Sequence, residues 1–275
     1  MTAPGECSGN CPDESHLPES SPAVSPAEPV RRERSKKIVI VMPAYNAAQT
    51  LEKTYRAIPE GSYDSIILVD DASWDNTLEI AQKLNLIAIR HPENRGYGGN
   101  QKTCYTRALL EGADIIVMLH PDYQYDPSMV PELVEPIERG EADVVLASRM
   151  LGDPLKGGMP LYKFISNKIL TTMQNLVLGV KFSEFHTGYR AFSRQALESV
   201  NFMLNSDNFI FDNEILVQLV LRKARFKEIP VPTRYAFDSS SVSFWAGCRY
   251  GLGILKTTLK YILHRLHIVR FEQFI

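Results

Sequence analysis

From Lys36 onward, short β-branched runs alternate with helix-length stretches of mixed polarity. The runs are IVIVM at 38–42, SIILV at 65–69, LIAI at 86–89, DIIVML at 114–119 and DVVLAS at 143–148. Each is apolar at consecutive rather than alternate positions, which predicts strands covered on both faces and hence a parallel sheet with helical crossovers. The intervening segments, 48–57, 76–84 and 100–110, predict the crossover helices. The expected fold class is therefore α/β, an open and mostly parallel sheet with helices on both faces. Beyond about residue 155 the alternation weakens. A helix is predicted over 161–178, followed by FSEFHTGYRAFS at 182–193, a helix over 213–222, a strand-like FKEIPV and a basic, apolar end.

In such sheets ligands bind beyond the carboxyl ends of the strands, so the residues after each run are the candidates for chemistry. Pro43, Ala44, Tyr45 and Asn46 follow the first run, and Asp70, Asp71, Ala72, Ser73, Trp74 and Asp75 follow the second. Ionised carboxylates there can accept hydrogen bonds from a ribose or base; Ser73 or Asp75 can equally cap the next helix. The third loop, with Asn94, Gly96, Gly98 and Gly99 ahead of a helix, has the composition of an anion-binding turn or of a plain flexible one. It is neither a dinucleotide fingerprint nor a P-loop. If the fourth strand stays extended, its period of two puts His120, Asp122 and Gln124 on one face, a set able to ligate a cation; as a polar turn, the same stretch leaves Asp126 as a helix cap. Arg149 and Arg190 are candidate phosphate contacts or structural ion-pair partners, and Asp212 and Glu214 open a helix near the same edge.

Composition narrows this picture. The formal charge of −2 and 23% charged residues give no general pull toward nucleic acid. Cysteines at 7, 11, 104 and 248 match neither a disulfide framework nor a zinc pattern, so a reducing, cytoplasmic setting is expected. Residues 1–34 carry six prolines and almost no large apolar side chain, and are expected to be a disordered leader without a secretory signal. No apolar run is long enough to span a membrane. From Phe244 to Arg270 there are five Lys or Arg and no acidic residue among many apolar ones, the pattern of an amphipathic helix on a membrane surface or packed on its own domain. The expected organisation is thus a leader (1–34), a catalytic domain (35–243) and a basic amphipathic end (244–275).

In order, PAYN at 43–46, DDAS at 70–73, NRGYGGN at 94–100, HPDYQYDP at 120–127 and TGYRAF at 187–192 resemble the family 2 inverting glycosyltransferases. The branch resembled is that of polyprenyl-phosphate sugar transferases such as dolichyl-phosphate mannosyltransferase. The resemblance implies a GT-A fold and transfer of a sugar from a nucleoside-diphosphate sugar to an acceptor, a polyprenyl phosphate or a soluble hydroxyl. It implies that Pro43, Tyr45, Asn46 and Asp71 hold the nucleoside; Asn94, Gly96, Arg149 and Arg190 are the further candidates for contacts to the nucleotide sugar. Asp122 would carry a divalent cation, Mn2+ or Mg2+, with Gln124 and His120 beside it, and Asp212 would serve as base for a hydroxyl acceptor or orient the sugar. The departure is His120, where the family usually has a first aspartate; a binding module that has lost turnover is the alternative this raises. A sugar nucleotidyltransferase would instead open with a glycine-rich, basic phosphate loop after the first strand, which PAYN lacks.

Overall fold

The computed structural model describes residues 35–232 and 244–275; the expected leader lies outside the described residues. Seven strands form one sheet: β1 (Ile38–Ala44), β2 (Ser65–Asp70), β3 (Ile87–Arg90), β4 (Ile115–Met118), β5 (Val144–Ser148), β6 (Arg190–Ser193) and β7 (Phe226–Pro230), in the order β3-β2-β1-β4-β6-β5-β7. Every pairing is parallel except those of β6, which runs antiparallel between β4 and β5. The helices are α1 (Leu51–Arg56), α2 (Thr77–Lys83), α3 (Gly96–Leu110), α4 (Val130–Glu138), α5 (Leu161–Leu178), α6 (Arg194–Glu198), α7 (Phe211–Leu221) and α8 (Phe244–Arg265).

The consecutive apolar runs have the expected cause. Successive side chains of β1 point to opposite faces, and both faces are buried: Val39 and Val41 lie in a core completed by Cys104, Tyr105 and Ala108 of α3 and Ile215, Leu216 and Leu219 of α7. Ile38, Ile40 and Met42 enter the opposite core with Leu51 of α1, Ala81 of α2 and Leu133, Val134 and Ile137 of α4. Each such fully buried Val, Ile or Leu contributes about 1.5–3 kcal/mol by leaving water.

Two sets of polar contacts tie this scaffold together. Buried Asn100 on α3 donates to the carbonyls of Ala44 at 3.3 Å and Val69 at 3.0 Å, bridging the carboxyl ends of β1 and β2. The chain after α8 returns to the core, where Gln218 of α7 donates to the Gln273 carbonyl at 2.6 Å and Phe274 is buried.

Candidate active site

The loops after β1, β2 and β4 meet at one edge, and each contains a non-glycine residue in the left-handed region: Asn46 at φ 52°, Ala72 at φ 60° and Tyr123 at φ 58°. Such conformations cost on the order of 1–3 kcal/mol and persist where surrounding contacts over-determine them. Here Asn46 is fixed by its own N–H donating to Ser73 Oγ at 2.8 Å and by its Oδ1 accepting from the Trp74 N–H at 3.1 Å. This leaves Tyr45 and Trp74 exposed in the loops after β1 and β2, at 54% and 82% relative accessibility, aromatic surfaces suited to a nucleoside. Pro43 is buried within β1. Asp75 stands one residue before the α2 N-cap Asn76 and serves the helix start: it accepts from the Thr77 N–H at 3.0 Å and from the Ala48 N–H at 3.1 Å, and against the opposing effect of burial these hydrogen bonds and that of the Thr77 hydroxyl hold its carboxyl below its usual range.

The glycine-rich loop and Asp71 find each other. Asp71 Oδ1 accepts from the Arg95 N–H at 2.8 Å and lies 2.6 Å from His91 Nδ1, while Oδ2 accepts from the Gly96 N–H at 3.0 Å. Asn94 donates to the Asp71 carbonyl at 3.3 Å and its Oδ1 accepts from Gly96. The Gly98 N–H is also spent, on the Asp207 carbonyl at 2.8 Å. The anion on the amino end of α3 is therefore the protein's own carboxylate. Asn94 and Gly96, named among the nucleotide-sugar contacts, are thus engaged with Asp71, and three of the roughly four acceptor positions of Asp71 are occupied. That arrangement also explains why α3 begins at Gly96 rather than at residue 100, because Asp71 satisfies donors that otherwise end a helix. Gly98 is required by packing: a Cβ there would lie 2.3 Å from the Ser206 carbonyl oxygen.

The metal segment departs from the extended geometry expected of it. β4 ends at Met118, and residues 121–124 turn, with Pro121 unable to donate to a ladder and Tyr123 left-handed under the Lys53 ammonium, 3.9 Å from its ring centroid. His120, Asp122 and Gln124 consequently share no strand face. His120 turns inward, its Nε2 3.1 Å from the Tyr97 hydroxyl and its ring stacked on Tyr97 at 5.4 Å between centroids. Gly188 makes the room, since a Cβ there would stand 2.8 Å from His120 Nε2. Asp122 stays exposed, with Oδ1 accepting from the Gln124 N–H at 3.1 Å. The alternative cap is present as well: Asp126 Oδ1 accepts from the Ser128 N–H at 3.0 Å. Among the described residues no three His, Cys, Asp or Glu gather to hold a metal by themselves. A Mg2+ or Mn2+ ion needs only one or two carboxylates when substrate phosphates complete its shell. The donor set thus fits a cation arriving with a diphosphate on Asp122, rather than a self-contained metal centre.

Behind His120 the network continues into the core. Tyr97 donates to Asp212 Oδ2 at 2.6 Å, Gln101 donates to Asp212 Oδ1 at 3.0 Å, and Arg190 Nη1 lies 3.3 Å from Oδ1 while donating to the Asp212 carbonyl at 2.9 Å. Burial, and then the adjacent Asp212 charge, push the Tyr97 hydroxyl far above the usual phenol range, so it keeps its proton and donates. Of the two roles open to Arg190 and Arg149, phosphate contact or structural ion pair, the second is seen for both. Arg190 is fully buried because it sits on β6 in the middle of the sheet, where it is the counter-ion of Asp212. Arg149 pairs with buried Glu184 and donates to the His186 carbonyl at 2.9 Å. His186 Nδ1 in turn lies 3.0 Å from the Tyr250 hydroxyl of α8. Tyr97, Gly188, Glu184, His186 and Trp74 had no assigned role in the sequence. A tyrosine inside a glycine-rich loop was the one available signal, since an anion-binding turn has no need of a bulky phenol.

The chain matches the model of glycosyl transferase family 2 over residues 39–200. It is 33% identical over 205 residues to an uncharacterized protein of Methanocaldococcus jannaschii, covering 74% of this chain and 84% of that one. It is 30% identical to the UDP-N-acetylglucosamine–dolichyl-phosphate N-acetylglucosaminyltransferase of Methanococcus voltae, covering 73% and 86% respectively. Among solved structures, glucosyl-3-phosphoglycerate synthase from Mycobacterium tuberculosis, in complex with Mn2+, UDP and glucosyl-3-phosphoglycerate, superposes with a TM-score of 0.65 at 18% identity, over 82% of this chain and 80% of that one, a likeness of fold. With its mostly parallel sheet, its loops gathered at one edge and a family match over most of its described residues, the chain belongs to glycosyl transferase family 2 and is a glycosyltransferase of GT-A fold.

Proposed function

We propose that this glycosyltransferase moves a sugar from a nucleoside-diphosphate sugar to a polyprenyl phosphate at the cytoplasmic face of a membrane, inverting the anomeric centre. The observation that carries the choice of acceptor is the state of Asp212. Both its oxygens are engaged, by Tyr97 and by Gln101 with Arg190, so neither is left free to face an acceptor hydroxyl. A hydroxyl acceptor needs a base as it attacks, whereas a phosphate is already anionic at neutral pH. The relative from Methanococcus voltae, named for transfer to dolichyl phosphate, supports the same choice.

In this reading Tyr45, Asn46 and Trp74 receive the nucleoside, and Asp122 holds the diphosphate's cation. When bound, a divalent cation supplies Lewis-acid stabilisation of the charge gathering on the leaving diphosphate. A phosphate oxygen of the acceptor attacks the anomeric carbon, the bond to the diphosphate breaks, and the nucleoside diphosphate departs on the opposite side. The chain's own part is to hold donor and acceptor in line, with Tyr97 and Arg190 fixing Asp212 behind the reacting edge.

The test supplies UDP- and GDP-sugars with either a polyprenyl phosphate in vesicles or a soluble alkyl glycoside. Label is expected in the lipid fraction. Asp122→Asn should abolish transfer with an unchanged circular dichroism spectrum, and calorimetry should show nucleoside diphosphate binding lost with chelator. Transfer only to the glycoside would overturn the acceptor; chelator-insensitive binding would overturn the metal role of Asp122.

A further inference from the structure

Helices α5 and α8 lie in contact, joined where Gln174 donates to Thr258 Oγ1 at 3.4 Å. Their polarity is inside out. The buried positions are rich in polar groups, Asn167, Thr171 and Gln174 on α5 and Thr257 and Thr258 on α8. The outward positions are apolar, with Leu161, Ile165 and Ile169 forming an i, i+4, i+8 stripe on α5 and Leu252, Leu255 and Leu259 a matching stripe on α8. A surface helix facing water has the opposite arrangement, and an exposed apolar patch of this extent marks an interaction site.

The charge on the two helices identifies the occupant. Neither contains an Asp or Glu, although the chain has 32 of them, and both carry cations: Lys163 and Lys168 on α5, and Arg249, Lys256, Lys260 and Arg265 on α8. An apolar stripe bordered by Lys and Arg alone matches an anionic bilayer, where acyl chains meet negative headgroups. A two-fold contact with a second copy would set these like charges against each other. Near their carboxyl ends the helices also border an open groove of about 370 Å³, lined by Leu176, Leu178, Ile262, Leu266 and Arg265, a shape that accepts apolar chains beside a cation.

We propose that the outer faces of α5 and α8 together form one membrane-docking surface for anionic lipid. The surface adjoins the reacting edge. Tyr250 of α8 contacts His186, whose carbonyl accepts from Arg149 at the end of β5, and Lys163 at the start of α5 lies close enough to Arg149 for its charge to lower the lysine's pKa, after burial. A lipid-borne phosphate held in the leaflet therefore arrives at the catalytic loops without leaving the surface. This deepens the lipid-phosphate reading and depends on it only for the acceptor's identity. It departs from docking by the chain's end alone in requiring α5.

The test is co-sedimentation of the full chain with phosphatidylcholine vesicles, with and without phosphatidylglycerol. Binding is expected only with the anionic lipid and should weaken as salt shortens the Debye length from about 10 Å at 0.1 M to about 3 Å at 1 M. Ile165→Ser with Ile169→Ser on α5, and Leu255→Ser with Leu259→Ser on α8, should each lower partitioning about tenfold or more, since each pair removes two exposed apolar side chains from the interface. Nucleotide-sugar hydrolysis in solution and the thermal midpoint should stay as in wild type, because all four positions are exposed. An α5 pair that binds vesicles as tightly as wild type would overturn the proposal. Wild type that ignores anionic vesicles but forms dimers lost in the α5 variant would overturn it in favour of a second copy. Docking that survives while sugar passes only to a soluble hydroxyl would sink the acceptor and leave the docking surface standing.

Discussion

The Tyr97 hydroxyl donates to Asp212 Oδ2 across 2.6 Å, joining the first turn of α3 to a carboxylate whose counter-ion lies in the middle of the sheet. Because its single proton goes to Asp212, Tyr97 must accept from His120, which makes His120 Nε2 the protonated nitrogen. Tyr97→Phe keeps the ring that stacks on His120 and Phe209 and removes only the bridge. Turnover should fall about 10–100-fold, in the range of a lost positioned hydrogen bond at a reacting edge, with stability reduced by about 1–3 kcal/mol as Asp212 loses a partner. Steady-state kinetics beside chemical denaturation measures both. Wild-type turnover in the variant would confine the bridge to a packing role.

Asp71 is predicted to act on the glycine-rich loop before it acts on any ligand. Asp71→Asn replaces one accepting oxygen with an NH2 group that faces backbone donors, against the positive end of α3. The denaturant midpoint should move to lower concentration, equivalent to about 1–3 kcal/mol, and hydrogen exchange should quicken at Arg95 and Gly96. An unchanged exchange rate at those amides would show that the loop holds itself.

Acid should unfold this protein partly through His186. Burial, opposed by Glu184 and Asp212 and assisted by Arg149 and Arg190, lowers its pKa from 6.5 to about 4. The unfolded chain therefore takes up a proton that the folded one refuses. This contribution is complete above about pH 6.5 and is lost as the pH falls toward 4, by on the order of 3 kcal/mol. Stability measured from pH 7 to 4 should decline less steeply in His186→Asn than in wild type. Parallel curves would assign the acid sensitivity to other groups.

Much of this architecture was legible because it follows from burial on two faces. The runs at 38–42 and 65–69 became β1 and β2 within two residues, and the helix over 161–178 stands as expected. What sequence could not supply was the partner of each polar residue. Asp71, Gly96 and Asn94 were separate candidates for one ligand, but folding spends them on one another, since burying a carboxylate beside open N–H groups leaves both unsatisfied otherwise. For Arg190 the choice between phosphate contact and structural ion pair stayed open for a related reason. TGYRAF shows no alternation strong enough to announce a central antiparallel strand, and only that placement turns its guanidinium into the core. The His120–Asp122–Gln124 face failed on a single local term, the proline at 121, which breaks the extended period on which that set depended.

The antiparallel insertion of β6 bears on the order in which the protein is made. β4 and β5 follow one another in the chain yet never pair, and the slot between them waits for a strand synthesised some 40 residues after β5. That strand delivers Arg190, and α7, further along the chain, delivers Asp212. On the ribosome, β1 to β4 can assemble with the loops that follow them while two strand edges remain open to mispairing. The Arg190–Asp212 pair comes into being only when β6 closes the gap, so in a nascent chain the loops after β1 and β2 are made well before the buried ion pair that stands behind them.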